Sequence, residues 1–245
     1  MARQMGRLEV ADRVVMMSGG STGIGKAIAQ RLVDDGYRLS LGGRRPDEMM
    51  ALYAPFGDRV LISRFEATIP DDAGKWVDRT LRAFGGIDVL INNAGINKPL
   101  NFTEGDETIM DELWDVNVKA PFRLMRFCMP HLSQCGFGRI VNIASTDAKR
   151  YRDGSVSVAY CATKHALLSL SHAAKFAGWE TGVRVTALCP GAVDTDFIGD
   201  APGATPKALR IAPETIAEAV AFLLGMPNNA VVAEMVVNSR LESSL

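Results

Sequence analysis

The chain has 245 residues, 47% of them hydrophobic and 22% charged, and its 27 Lys and Arg against 28 Asp and Glu leave a formal net charge of −1. A chain of this size and composition buries one large core without disulfide or metal support. Near-zero charge with only scattered basic pairs excludes the broad cationic field that nucleic acid requires, and no run approaches the roughly 20 apolar residues of a membrane helix.

Residues 1–10 carry Arg3 and Arg7 but no continuous apolar stretch, so no signal peptide is expected. From residue 13 onward, short β-rich runs alternate with longer helical patterns, the signature of a parallel sheet covered on both faces. Buried parallel strands read as apolar blocks, which places strands at 13–17, 38–42, 59–62, 87–91, 139–143, 183–188 and 235–237. Helical spacing covers 24–34, where Ile24, Ile28 and Leu32 recur and Gly36 marks the end. It returns at 71–84, 107–132, 158–177 and 214–224, the last with Pro213 at its first turn. Residues 199–213 are rich in Gly, Ala and Pro, lack periodicity, and read as a mobile loop. No linker or repeat divides the chain, so one doubly wound α/β domain is expected, with its core over residues 10–238.

Between the first strand and the first helix lies Ser18-Gly19-Gly20-Ser21-Thr22-Gly23-Ile24-Gly25, a GxxxGxG turn. Glycines let backbone close on a dinucleotide pyrophosphate, and the helix N-terminus offers free N–H groups and the positive end of its dipole. With 23 Gly in the chain, chance supplies this spacing about 0.2 times, so alone it also reads as a plain tight turn. Tyr160-Cys161-Ala162-Thr163-Lys164 places a phenol and an ammonium four residues apart, on one helix face. A cation there is expected to lower the Tyr160 pKa toward the range where a phenol exchanges protons with a substrate oxygen. Chance supplies such a pair about 0.13 times, and its bland alternative is a half-buried ring beside a surface cation.

Taken together and in order, these segments carry a resemblance. Asn92-Asn93-Ala94-Gly95 after the fourth strand, Asn117 in the next helix, Ser145 after the fifth strand, Tyr160, Lys164, and Pro190-Gly191 after the sixth resemble the short-chain dehydrogenase/reductase family over nearly the whole chain. The resemblance implies a single-domain Rossmann fold whose seven-stranded parallel sheet runs in the order 3-2-1-4-5-6-7. It implies that Tyr160 is the general acid/base and that Ser145 orients the substrate oxygen. Lys164 would lower the Tyr160 pKa and hold the nicotinamide ribose, and Asn117 would anchor a water for proton resupply. The implied reaction is hydride transfer between nicotinamide and a ketone, aldehyde or alcohol; the alternative is a non-catalytic nucleotide sensor on the same fold.

For the cofactor, the resemblance points to Gly19, Ser21, Thr22, Gly23, Ile24 and Gly25 at the phosphates, and to Asn93, Ala94 and Gly95 near the adenosine half. Pro190, Gly191, the Val193 backbone and the Thr195 hydroxyl would line the nicotinamide. Gly43 stands where NAD-preferring relatives carry an acid, and Arg44 and Arg45 follow it. A carboxylate would repel a 2′-phosphate and a guanidinium can pair with it, so NADP(H) is expected, with NAD(H) as the alternative and Arg44 ahead of Arg45.

The chain also departs from the family pattern. Ser18 replaces a threonine, and Glu66 stands where an aspartate contacts adenine in the family, so that contact is expected either to shift or to pass to the neighbouring backbone, at Glu66 and Ala67. The fifteen-position interval from Ser145 to Tyr160 holds Asp147, Lys149, Arg150, Arg152 and Asp153. Its three cations read either as a solvated loop or as a selector for a carboxylated or phosphorylated substrate. Residues 234–240 lack the usual glycine-rich ending. Phe122, Leu168 and Leu170 are expected on exposed helix faces where relatives pair subunits, giving a homodimer or homotetramer.

Cys128, Cys135, Cys161 and Cys189 lack CxxC spacing, which suits free, mostly packed thiols and a cytoplasmic setting. His131, His165 and His172 form no metal-ligand pattern. Met16-Met17 and Met49-Met50 read as core filler.

Overall fold

In a computed structural model that describes residues 8–10, 12–198 and 204–239, the apolar blocks form strands β1 (Val14–Ser18), β2 (Arg38–Gly43), β3 (Val60–Arg64), β4 (Val89–Asn92), β5 (Arg139–Ile143), β6 (Arg184–Pro190) and β7 (Glu234–Val237). They pair in parallel in the order β3-β2-β1-β4-β5-β6-β7. The helices are α1 (Gly23–Asp34), α2 (Pro46–Tyr53), α3 (Asp72–Phe84), α4 (Glu107–Trp114), α5 (Ala120–Gln134), α6 (Val158–Gly178) and α7 (Pro213–Leu224).

Alternation along the strands separates two cores. Val15 and Met17 of β1, with Leu39, Leu41, Val89 and Ile91, pack under Ile28 and Leu32 of α1 and Ile216 and Val220 of α7. Met16, Leu90 and Ile140 point the other way, onto Trp76 of α3 and Leu124 and Cys128 of α5. Ser40 faces this second core without leaving an orphan group, because its hydroxyl meets Thr80 at 2.7 Å and accepts from Trp76 Nε1 at 2.9 Å. Strand order reverses between β1 and β4, and at that switch point the loops diverge and leave a crevice.

Several expectations need correction. The pattern over 107–132 is not one helix: α4 and α5 are separated by a π turn, Asp115–Lys119, and α5 runs on to Gln134. Residues 43–58 carry no clear periodicity, yet α2 forms within them, with Pro46 and the acids Asp47 and Glu48 in its first turn. Residues 199–203 of the predicted loop lie outside the described residues; the remainder forms a short 3₁₀ turn, Lys207–Leu209, and Ile211 pairs with Val193. Arg3, Arg7 and Arg240 also lie outside them.

Met16, Met17 and Met49 are buried as expected, but Met50 is half exposed because it falls on the outer face of α2. Phe122 is exposed. Leu168 and Leu170 are instead partly buried, each against a core cluster, since α6 packs both of them inward. The cysteines are free, three of them buried. Among the described residues, no helix is long and apolar enough to cross a membrane and no cluster could hold a metal ion.

Candidate active site

The crevice is a cleft of about 620 Å³ lined by the glycine turn, the ends of β2, β4, β5 and β6, and the first turn of α1. Its floor is locked from three sides. Ser18 Oγ accepts from the backbone N–H of both Asn93 and Ala94 at 3.1 Å, so serine performs what the hydroxyl at this position requires. Asn93 Nδ2 donates back to the carbonyls of Ser18 (3.1 Å) and Gly19 (2.7 Å). Tyr53 Oη donates to the Gly20 carbonyl at 2.7 Å.

Glycine is obligatory at two points of this turn. A Cβ on Gly25 would lie 1.9 Å from the Gly19 carbonyl oxygen, and Gly23 has φ of +52° with Thr195 Cγ2 only 3.0 Å from where its Cβ would be. The first turn of α1 has no side-chain cap and no acid, whereas Asp106 caps α4 and Ser157 caps α6. Its N–H groups and dipole are therefore available to an anion in the cleft, and the residues fit a dinucleotide phosphate.

Asn117, Ser145, Tyr160 and Lys164 come from three elements, the π turn, the end of β5 and α6; Asn117 and Lys164 meet beside Gly95, and Ser145, Tyr160 and Lys164 line the cleft. The π turn rotates Asn117 inward, a use to which such turns are often put. There its side chain grips Ile96 twice, accepting from the N–H and donating to the carbonyl, both at 2.9 Å, and also donates to Thr163 Oγ1 at 3.1 Å. A Cβ on Gly95 would lie 3.3 Å from Asn117 Oδ1 and 3.6 Å from Lys164 Nζ. Lys164 Nζ donates to the Ile143 carbonyl at 2.9 Å and sits 5.6 Å from the Tyr160 ring centre. Ser145 caps the 3₁₀ turn Thr146–Ala148, and its Oγ accepts from Asp147 N–H at 3.0 Å.

Electrostatically the pair departs from expectation. Burial pushes the Tyr160 phenol up rather than down, with the Asp147 charge adding to the rise and the Ser145 hydrogen bond opposing it. Burial also pushes Lys164 down, to about 8. Desolvation is the leading cause for both groups, so the protein by itself holds Tyr160 as a proton donor.

Gly19, Ser21, Thr22, Gly23, Ile24, Gly25, Arg44, Arg45, Glu66, Ala67, Asn93, Ala94, Gly95, Pro190, Gly191, Val193 and Thr195 all line the cleft. Arg44 has no ion pair among the described residues. Arg45 is held by Glu48 and by Ser21 Oγ, so it is exposed but tethered. The segment after β6 is stapled in place, with Asp194 N–H donating to Ile211 and Ile211 N–H to Ala192, both at 2.8 Å. The three cations of the 149–152 loop divide: Arg152 lines the cleft, whereas Lys149 pairs with Glu234, which also holds His172. Arg150 is not among the residues that line the cleft.

Two residues of the site carry little signal in the sequence. Tyr53 pins the glycine turn from α2, and the Pro-Asp-Glu start of that helix was the signal that could have placed it. Asp147 was seen as part of a charged loop, not as a group beside Ser145 and Tyr160.

Residues 13–203 match the family described as short chain dehydrogenase. The chain is 37% identical to an agropine synthesis reductase of Rhizobium rhizogenes over 94% of its own length but 53% of that protein, so it spans about half the length of this relative. An uncharacterized oxidoreductase of Staphylococcus saprophyticus is 32% identical, with 94% of this chain and 98% of that protein covered. Among solved structures, an alcohol dehydrogenase of the archaeon Thermococcus sibiricus complexed with 5-hydroxy-NADP superposes with a TM-score of 0.85 at 30% identity, covering 94% and 99% of the two chains. A 3-ketoacyl-(acyl-carrier-protein) reductase of Brucella melitensis complexed with NADH gives 0.83 at 27% identity, covering 94% and 98%.

Proposed function

The chain belongs to the short-chain dehydrogenase family, and on that premise we propose that it is an NADP(H)-dependent oxidoreductase that interconverts a ketone or aldehyde and an alcohol, with Tyr160 as general acid/base. The observation that carries this reading is that Tyr160, Ser145 and Lys164, with Asn117 behind Gly95, line the same cleft as the uncapped start of α1. A nicotinamide cofactor, when bound in this cleft, would supply the hydride. The chain supplies the rest. Ser145 donates a hydrogen bond to the substrate oxygen, and Tyr160 Oη gives its proton to that oxygen as negative charge gathers there.

The phenolate left behind lies beside Lys164, whose pKa of about 8 lets it exchange a proton near neutral pH. Asn117, fixed by Ile96 and Thr163, keeps the adjoining backbone in place for resupply. Arg44 would hold the 2′-phosphate, with Arg45 its tethered neighbour, and Val193 and Thr195 would meet the carboxamide. Because Gly43 puts no carboxylate there, NADPH is favoured over NADH.

The test compares binding and carbonyl-dependent oxidation of NADPH and NADH by wild type and Arg44→Ala. A preference for NADPH that falls by about tenfold or more in the variant is expected from loss of a charge-assisted contact. Tight nucleotide binding without turnover on a broad carbonyl panel would favour a nucleotide sensor instead. A preference for NADH would remove Arg44 from its assigned role.

A further inference from the structure

Arg152 has no part in the chemistry above, yet it lines the same cleft as Ser145 and Tyr160. It opens a turn that is fixed along its length. Asp153 Oδ1 accepts from the N–H of Ser155 at 2.9 Å, the Asp153 carbonyl accepts from Val156 N–H at 3.1 Å, and Tyr151 Oη donates to the Val156 carbonyl at 3.1 Å. The turn ends at Ser157, which caps α6 by accepting the backbone N–H of Tyr160 at 3.3 Å. Ser155, Val156 and Ser157 line the cleft as well, so a pinned segment joins Arg152 to the helix that carries the phenol.

The guanidinium is held along one edge. Its Nε donates to Asp153 Oδ2 and its Nη2 to Ser155 Oγ, both at 2.9 Å. Among the described residues Nη1 makes no hydrogen bond, which leaves the Nη1–Nη2 end of the fork to a ligand, the edge that grips a planar carboxylate through two parallel hydrogen bonds. The Asp153 side chain is 53% exposed, so water screens its charge and it orients the fork more than it neutralises it. The other charges of the loop set which anion fits. Lys149 is taken up by Glu234, and Arg150 does not line the cleft. Asp147 does line it, where burial raises its carboxyl and Arg152 is the foremost cation lowering it again. A phosphate with nearly two charges would meet one cation beside an acid, whereas the single charge of a carboxylate is matched by Arg152.

We propose that Arg152 is a specificity-determining residue that takes a carboxylate on the substrate, so that the reacting pair is an oxo acid and the corresponding hydroxy acid. This rests on the reading of the site as one that interconverts carbonyl and alcohol. The test sets straight-chain oxo acids of increasing length against their methyl esters, with NADPH, in wild type, Arg152→Gln and Arg152→Lys. In wild type kcat/KM should be about thirtyfold higher for at least one acid than for its ester. Arg152→Gln should bring that ratio to about one, and Arg152→Lys, a point charge without the fork, should hold it at about fivefold. A second arm needs no turnover: straight-chain carboxylates without the oxo group, titrated into the protein and followed by ligand-observed NMR, should bind wild type about tenfold more tightly than their amides and lose that advantage in Arg152→Gln.

Equal use of acid and ester by wild type overturns the proposal, as does an acid preference that Arg152→Gln keeps. So does an equal loss of both activities in Arg152→Gln, the result that an arginine which merely shapes the turn would give. An Arg152-dependent preference for oxo phosphates over oxo acids overturns the choice of anion. Wild type inactive on every acid, ester and other carbonyl would defeat the functional reading instead, and the titration would then decide the anion site: a carboxylate advantage lost in Arg152→Gln upholds it, and the absence of one overturns it.

Discussion

The two rims of the sheet are built from the same strands and treat their polar groups in opposite ways. At the N-terminal rim, Arg13, Arg139 and Arg184 stand at the starts of β1, β5 and β6 and direct their guanidiniums into the protein. Arg139 donates to the carbonyls of Phe137, Gly138 and Met226 and to Asn228 Oδ1, at 2.7–3.2 Å. Arg13 reaches Leu224 and Phe137, and Arg184 reaches Asn228 and Trp179. Burial and the neighbouring charges of Arg13 and Arg184 work against the Arg139 cation, and those carbonyls offset the penalty. At the C-terminal rim, the uncapped turn of α1, Ser145, Tyr160 and Lys164 leave polar groups facing open space. A rim whose donors are mostly consumed by its own chain, here all but Arg13 Nε and Arg139 Nε among the guanidinium groups of those two residues, is support; a rim that turns its donors to a cleft can bind and react.

The comparison breaks most sharply at Tyr160. Tyr160→Phe removes one hydroxyl from the C-terminal rim and should lower kcat by about a thousandfold, equivalent to about 4 kcal/mol of transition-state stabilisation. Cofactor affinity and Tm should stay near wild type. A steady-state assay at neutral pH, paired with a thermal melt, decides it: appreciable turnover would take Tyr160 out of the chemistry.

Arg139→Met is the converse. It should lower unfolding free energy by about 3 kcal/mol in a urea titration, because several buried carbonyls lose a charged donor together. Nucleotide affinity should stay within about twofold, since the site lies at the far end of the strands. If the variant kept its stability but lost nucleotide binding, the division between supporting rim and functional rim would be wrong.

The same division explains what the sequence discloses. The strand blocks, the glycine turn and the Tyr160–Lys164 pair are local patterns, and parallel pairing then brings the strand ends into one crevice; Asn117 and Ser145 carry no such spacing and enter only with the family resemblance. The π turn at Asn117 is not readable, because residues 107–132 keep helical periodicity across it and only packing against Ile96 and Thr163 selects the wider turn. The protonation of Tyr160 and Lys164 is unreadable for a related reason. Spacing reports that two groups are close, whereas burial, the leading influence on both here, is a property of the assembled walls. Asp147 and the tethering of Arg45 likewise depend on contacts between segments that carry no periodic signal.

Tyr53→Phe gives the smallest effect and draws the finest distinction within the functional rim. Burial raises the Tyr53 phenol to about 12, so it remains a donor to the Gly20 carbonyl at all working pH values. Removing it should cost about 1 kcal/mol of stability, with no pH dependence between about pH 6 and about pH 9. Because the glycine turn it steadies is common to both nucleotides, NADPH and NADH affinities should weaken in parallel, by about fivefold. Arg44→Ala should act on NADPH alone. A Tyr53→Phe variant that weakened only NADPH would place the 2′-phosphate contact on α2 rather than on the end of β2, and would move the basis of cofactor choice with it.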